Sequence, residues 1–191
     1  VLNEYAIIPW LVGAASAAYP SSRADKFRIS LTYSAYEDAV GPDRVLKDAE
    51  IKPATKSGLI CFIGIKDANQ NDIAVIERDI STLTRFTEGR GRDWSKNRIV
   101  REAYQAVRTM DRTFHLYYIG QVDNTEVGRL LLKSDFVKIF RQMEEWGAVE
   151  NFDPEMDITV LPGEEKDAVL AKGKIFFTDA METCYFELEL Q

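Results

Sequence analysis

The sequence predicts a single α+β domain in which a mixed β-sheet packs against two long helices. Two central segments carry apolar residues at helical spacing, and the segments before and after them contain short apolar runs separated by turn residues. With 191 residues, 46% of them hydrophobic, the chain can bury a core of its own. We place this domain at residues 1–182. Residues 183–191 are interpreted as a C-terminal strand or linker arm that a neighbouring subunit can exchange.

The first third of the chain begins with a helix rich in small residues, from Asn3 to Ala18. Its apolar run is shorter than the roughly 20 residues of a membrane-spanning helix and contains Pro9, which favours a buried core helix. An extended segment is expected at Arg28–Tyr36, where β-branched and aromatic residues recur. A short helix at Asp43–Glu50 should end before Pro53, because proline disrupts a helix interior.

A β-hairpin is predicted next. Leu59–Ile65 is strongly apolar, and Ile73–Asp79 is predicted to pair with it across a polar linker rich in Asn and Asp. Each of the two cysteines, Cys61 and Cys184, lies in an apolar run, so both are expected as small buried residues in strands. Two isolated cysteines form neither a disulfide framework nor a metal site.

The two long helices follow. The first runs from a cap at Ser95 to about Tyr118 and ends at Gly120, and the second begins at a cap on Asn124 and ends near Gly147. The apolar stripe of the first helix comprises Ile99, Ala103, Val107, Met110 and Phe114. The stripe of the second comprises Leu132, Phe136, Phe140 and Met143. Both stripes predict one face packed on a core.

The remainder of the chain reads as strands, at Asp157–Leu161, Ala168–Phe177 and Thr183–Leu190. The last strand alternates strictly between apolar and polar positions. The residues on its apolar face are Cys184, Phe186, Leu188 and Leu190.

The charge and the reactive residues disfavour several functions. A net charge of -7 is a poor match for nucleic acid, so we expect no nucleic-acid partner. The N-terminal apolar stretch lacks the basic residues of a signal peptide and the length of a spanning helix, so we expect no membrane partner. The single histidine, His115, has no nucleophile motif beside it. Gly89–Arg92 lacks the spacing of a phosphate-binding loop and is interpreted as a flexible basic loop. We therefore expect no catalytic residue, no cofactor and no metal.

A family resemblance rests on three stretches between Ile73 and Leu161. These are IERDISTLTRFTEGRGRDWSKNRIVREAY, YYIGQVDNTEVGR and AVENFDPEMDITVLPG. In this order and spacing they resemble the C-terminal region of bacteriophage contractile-tail sheath proteins, including those of defective phages and phage-tail-like bacteriocins. Upstream, Ile8–Gly13 and the SLTY at Ser30–Tyr33 are similar to the family more loosely. Pro53 and the missing glycine near Val40 depart from its pattern.

The resemblance implies a structural subunit and no enzyme. Sheath subunits form rings that stack helically around an inner tube, and their contraction drives the tube through a target envelope. The implied partners are other copies of the chain, the tail tube protein, and the baseplate and tail terminator proteins. The implied location is a virion or phage-tail-like particle assembled in the bacterial cytoplasm. The alternative is another tail component with a sheath-like fold, such as a tail terminator or baseplate adapter, which would form closed rings.

The resemblance also implies two interaction surfaces. The candidates for contact with the tube lie on the second long helix, and they are Arg129, Lys133, Lys138 and Arg141. The alternative for these residues is an ordinary solvated face. The C-terminal strand is the candidate for exchange between subunits, or it closes the sheet of its own subunit. Because the family's N-terminal arm is missing and Val1 is not an initiator methionine, we expect the chain to be part of a longer subunit.

Overall fold

A computed structural model describes residues 4–18, 30–36, 39, 41–42 and 44–189. The described residues divide into two compact units: those within 4–18, 30–100 and 179–189 form the first, and residues 101–178 form the second. The α+β class is confirmed, with helices and small antiparallel sheets along the chain. Expected features at Asn3, 19–29, 37–38, Val40, Asp43 and Leu190 lie outside the described residues.

The first unit is built around a three-stranded antiparallel sheet with the order β1-β3-β2. Its elements are α1 (Glu4–Ala17), β1 (Ala35–Tyr36), α2 (Asp48–Lys56), β2 (Phe62–Lys66) and β3 (Asp72–Ile76). The predicted hairpin is confirmed, since β2 and β3 pair in register from Phe62↔Ile76 to Lys66↔Asp72. Ile76 is buried in a small core with Ala18 and Leu31, against which Trp10 of α1 packs.

Helix α2 corrects the expectation at Pro53, because the helix continues through this residue to Lys56. Proline lacks the N–H that would bond to the carbonyl of Ala49. Ala49 is exposed, so water can take the place of that lost bond. Beyond the proline the helical bonding resumes, with Ser57 N donating to the Pro53 carbonyl at 3.0 Å.

Gly58, which ends α2, is expected to be intolerant of a side chain. Its φ is +78°, and an added Cβ would lie 2.9 Å from Thr82 Cα. We expect Gly58→Ala to lower the free energy of unfolding by about 1–3 kcal/mol, through backbone strain together with the clash. Urea denaturation followed by circular dichroism measures this. Gly89→Ala is the control, because no atom lies within 4 Å of its added Cβ; equal costs for both variants would contradict the prediction.

Among the described residues, the second unit contains most of the two long helices and four short strands. Its elements are α3 (Asn97–Tyr117), whose first turn belongs to the first unit, α4 (Glu126–Glu145), β4 (Val149–Glu150), α5 (Pro154–Asp157), β5 (Ile158–Pro162), β6 (Val169–Gly173) and β7 (Phe176–Phe177). A 3-10 turn at Arg92–Ser95 precedes α3. The strands pair as β4-β7 and β5-β6. The described strands therefore form three small sheets, whereas the sequence predicts one mixed sheet.

The two long helices share one core, as predicted. The stripe of α4 is buried in full, at Leu132, Phe136, Phe140 and Met143. From α3, Ala106 is buried in this core, and Met110 and Phe114 pack against it. The strand residues Val149 and Ile158 are buried in the same cluster. The assignment of Val107 to the stripe is wrong, because Val107 is exposed and the neighbouring Ala106 takes its place on the buried face.

Two further details differ from the expectations. Thr125, and not Asn124, caps α4: its hydroxyl accepts from Gly128 N at 3.2 Å. Cys61 is buried as expected, but Cys184 is exposed. The reason for the second difference is that residues 181–189 form no strand ladder with any described part of the chain.

Candidate functional site

Two of the sequence motifs meet in the first unit. Asp79, the aspartate of IERDI, is buried, and its carboxylate accepts from Leu31 N at 2.9 Å and from Asn97 Nδ2 at 2.8 Å. Asn97, of the SKNR motif at the start of α3, also donates to the Ile80 carbonyl at 2.9 Å. These hydrogen bonds explain why an aspartate and an asparagine occur at these positions. Asp79 accepts from the side chain of Asn97, and Asn97 donates to a backbone carbonyl beside Asp79.

The residues beside this pair hold the C-terminal part of the chain. Glu182 is almost buried, with 6% of its side chain exposed. Its carboxylate forms a short ion pair with Lys96 Nζ and accepts from Arg78 Nη1 at 2.8 Å and from Thr32 Oγ1 at 2.7 Å. Arg78 also donates to Thr183 Oγ1 at 3.1 Å. We call Glu182 with these partners the Glu182 anchor.

The anchor keeps Glu182 ionised. Burial raises the pKa of this carboxyl, but the hydrogen bonds from Lys96, Thr32 and Arg78 and the charge of Lys96 outweigh burial and bring it below the ordinary glutamate value. Lys96 lies in addition 3.2 Å from Asp179, so both carboxylates of this segment face the same ammonium group. The anchor is thus a small network of charge-assisted hydrogen bonds.

Immediately after the anchor the chain leaves the surface of its unit. Tyr185, Phe186 and Leu188 are 93%, 87% and 90% exposed. Exposed apolar side chains in one continuous segment are unusual on a monomer and are typical of a contact surface. We call residues 183–191 the C-terminal arm; the structure describes it to residue 189, so the candidate residue Leu190 lies outside the described part.

The four cationic candidates of α4 are all engaged within the second unit. Arg129 donates to Asn124 Oδ1 at 2.9 Å, and Lys133 lies 3.1 Å from Glu155. Lys138 lies 2.7 Å from Asp135, and Arg141 lies 2.7 Å from Glu144. Lys138 and Arg141 are the more exposed pair, at 71% and 49% of their side chains. Because exposed ion pairs contribute little stability, these two can exchange partners at low cost.

A third motif, YIGQVDNTEVGR, joins α3 to α4. Asn124 Nδ2 donates to the carbonyls of Lys166 and Ala168 at 2.9 and 2.8 Å, which fixes the loop before β6. Tyr118 donates to Asp135 at 2.5 Å. Burial and the Asp135 carboxylate raise the pKa of Tyr118, so this hydroxyl stays protonated. These structural contacts explain why Tyr118 and Asn124 occur in the motif.

Groups with catalytic potential are dispersed. His115 is exposed and lies 3.2 Å from Asp111 on the same helix. Within the described ranges no set of three His, Cys, Asp or Glu side chains is arranged to hold a metal ion. A search of the same residues finds no helix with the length and apolar character needed to cross a membrane.

Sequence reasoning missed the Glu182 anchor. The segment TDAME carries ordinary turn residues, and an acid at its end gives no sign of burial. The partners Lys96 and Arg78 lie 86 and 104 positions earlier, so no local pattern links them to Glu182. Arg78 and Lys96 both lie within the first motif stretch, and this is the one signal in the sequence that could have suggested a common site.

Residues 90–191 match the family model described as the phage tail sheath C-terminal domain. Two curated proteins of Bacillus subtilis strain 168 are similar over 95% of the chain: phage-like element PBSX protein XkdK, at 28% identity, and the uncharacterised protein YqbK, at 27%. The chain spans 38% of the length of each.

Solved structures are similar as well. The sheath tail protein of Desulfitobacterium hafniense is 31% identical, with a TM-score of 0.74 over 91% of this chain and 37% of that one. The sheath tail protein Lin1278 of Listeria innocua is 23% identical, with a TM-score of 0.74 over 97% and 41%. A chain of the anti-feeding prophage baseplate is 9% identical, with a TM-score of 0.57 over 78% and 41%. The last two show likeness of fold alone.

Proposed function

The chain belongs to the phage tail sheath family through that family's C-terminal domain, and we propose that it forms part of a contractile sheath around an inner tail tube. Its subunits polymerise with one another as stacked rings. Contraction of the polymer drives the tube through the target envelope. The particle is assembled in the bacterial host cytoplasm, with baseplate and tail terminator proteins at its ends.

The observation that carries this proposal is the C-terminal arm. The arm alternates apolar and acidic residues, exposes its apolar side chains, and follows directly after a buried anchor. A segment with this pattern is suited to add a strand to the sheet edge of another chain. We propose that Cys184, Phe186, Leu188 and Leu190 enter a neighbouring subunit. Burying each large apolar side chain contributes ~1.5–3 kcal/mol, so the arm can keep subunits joined while other contacts change.

Negative-stain electron microscopy of the complete gene product tests polymerisation. We expect hollow tubes built from repeating rings. Single closed rings would instead support a tail terminator or baseplate adapter. Particles that stay monomeric at high concentration would contradict both assignments.

The tube contact is proposed for α4, with Lys138 and Arg141 at its centre and Arg129 and Lys133 beside them. The proposal is supported by the four basic residues against one acid between Arg129 and Arg141, on a chain whose net charge is -7, and by the exposure of Lys138 and Arg141. Arg129 and Lys133 contribute less in this proposal, since both residues are less exposed than Lys138 and Arg141.

Reversing the charge of the two exposed residues is expected to weaken assembly around tubes. In the variant Lys138→Glu/Arg141→Glu, we expect at least a tenfold fall in sheath that cosediments with purified tube protein, because two attractive contacts become repulsive. The matched control is Arg108→Glu/Arg112→Glu on α3, where both arginines are exposed. Circular dichroism checks that both variants are folded. A larger loss in the α3 variant would assign the tube contact to α3.

A further inference from the structure

The turn at residues 31–34, directly before β1, has a strained backbone. Tyr33 has a φ of +61°, in the left-handed region that a large side chain disfavours. Its side chain is 55% exposed, so packing of the ring in a core does not account for this conformation. A strained residue persists only where the structure around it fixes the backbone. The contacts of the turn therefore hold Tyr33 in place.

Two of these contacts are backbone hydrogen bonds. Tyr33 N donates to the Ile76 carbonyl at 2.7 Å, and Ser34 N donates to the Leu31 carbonyl at 2.9 Å. A third contact comes from the buried Asp79 carboxylate, which accepts from Leu31 N. The start of the turn is thus tied to the segment that follows β3.

The Thr32 hydroxyl joins the turn to the Glu182 anchor. It donates to Glu182 Oε1 at 2.7 Å and accepts from Asp79 N at 3.0 Å and from Ser30 Oγ at 3.1 Å. A hydroxyl has one proton and two lone pairs, so these three bonds use its full capacity. No group is left over to replace a lost partner. Thr32 therefore cannot rotate away without breaking its bond to Glu182.

The two oxygens of the Glu182 carboxylate face different parts of the first unit. Oε1 faces Thr32 of the turn, and Oε2 faces Arg78 and Lys96. In the described part of the chain, Tyr33 itself forms no hydrogen bond with residues 179–183. Any link between the strain at Tyr33 and the C-terminal segment must therefore pass through its neighbour Thr32.

We propose that residues 30–36 and 179–183 form a latch whose two segments open and close together. In the closed state Thr32 and Asp79 hold Tyr33 in its left-handed conformation. Release of Glu182 frees Thr32, which lets the turn relax. Relaxation of the turn moves Thr32 and so releases Glu182. Coupling between two segments is reciprocal, so each segment stabilises the other by the same factor.

The latch also controls one edge of the three-stranded sheet. Strand β1 lies at this edge and pairs with β3 at Ala35↔Val75 and Tyr36↔Ala74. The turn adds one further bond, from Ile76 N to the Ser34 carbonyl at 3.1 Å. Because β1 is so short, opening of the turn should free it from β3. This coupling belongs to the single chain and does not depend on the proposed sheath function.

Relief of the strain at Tyr33 gives the sharpest test. Glycine adopts a positive φ without a steric cost, so Tyr33→Gly should favour the closed latch. Hydrogen exchange of the isolated chain, followed by mass spectrometry, should slow at residues 179–183 by about threefold. The matched control is Gln70→Gly, which relieves a φ of +67° in the β2–β3 hairpin of the same unit. Exchange at residues 179–183 should be unchanged in this control.

Removal of the Thr32 hydroxyl tests the link in the opposite direction. Thr32→Val keeps the shape of the side chain and deletes its three hydrogen bonds, so exchange should speed up about tenfold at residues 179–183 and at 35–36. Thr32→Ser keeps the hydroxyl and should restore slow exchange at both places. Circular dichroism checks that every variant is folded.

Two results would overturn the latch. The first is unchanged exchange at residues 179–183 in Tyr33→Gly, or an equal slowing in Gln70→Gly, because the strain would then not act on the C-terminal segment. The second is faster exchange in Thr32→Val at residues 35–36 without a change at 179–183, which would show that the two segments open separately.

Discussion

Ending the chain after Thr183 is expected to abolish tube formation while leaving both compact units folded. The arm beyond Thr183 forms no strand ladder within the described chain, and its described apolar residues are not part of either core. Its removal therefore costs the monomer little. In the polymer the same removal deletes the buried side chains that join neighbours, at ~1.5–3 kcal/mol for each large one. The loss is repeated at every subunit, so assembly should fall below detection.

Electron microscopy counts tubes for the truncated protein, and circular dichroism with thermal denaturation reports its folding. A milder variant, Phe186→Ser/Leu188→Ser, should also prevent assembly. The control is Val127→Ser/Met156→Ser, which changes two exposed apolar residues of the second unit. If the truncated chain unfolds, the arm closes a sheet of its own subunit. If it still builds tubes, the arm does not link subunits.

Replacing Glu182 by glutamine is expected to release the arm from its unit. The substitution keeps the size of the side chain and removes the charge that Lys96 and Arg78 face. Arg78 is partly exposed to water, and Lys96 retains its ion pair with Asp179. The substitution therefore weakens only a few hydrogen bonds to charged groups, which lowers the stability of the anchor by about 2 kcal/mol. Hydrogen exchange at residues 179–183 should then speed up ~30-fold. Because the start of the arm is then no longer held on its own subunit, the yield of tubes should also fall.

Hydrogen exchange followed by mass spectrometry measures the release directly. The control Glu88→Gln removes an exposed acid of the same unit and should leave exchange at residues 179–183 unchanged. Equal exchange rates in Glu182→Gln and the unaltered chain would show that the anchor does not hold the arm.

Acid offers a second test of the anchor. The folded-state pKa of Glu182 lies below the ordinary glutamate value of about 4.3. The stabilisation is therefore present above that value and is lost as the pH falls through the folded-state pKa. The protection factor at residues 179–183, which corrects for the slower intrinsic exchange of amides in acid, should fall over this acidic window in the unaltered chain, with no matching step in Glu182→Gln.

The helical part of the fold was predictable because its signal is local. Four apolar residues of α4 recur at steps of three and four, and all four are buried. The same reasoning placed Val107 on the buried face of α3, although the structure buries Ala106. Alanine and valine are both apolar, so the pattern alone could not distinguish a stripe through residue 106 from one through 107.

Sheet partners and the anchor were not predictable, since both depend on contacts between distant residues. Alternation identifies a strand but not its neighbour, which explains why the described strands form three small sheets where one was expected. Glu182 meets Thr32 across 150 positions. The motif segments indicated the family, but the reason for Asp79 and Asn97 within them became clear only from their shared hydrogen bond.

A cryo-electron microscopy map of the assembled polymer, resolved well enough to trace residues 183–189, would locate the arm directly. We expect continuous density from Glu182, held in its own subunit, to an arm that lies on a neighbouring copy. An arm that folds back onto its own subunit, with no density crossing between copies, would show that the arm does not link subunits.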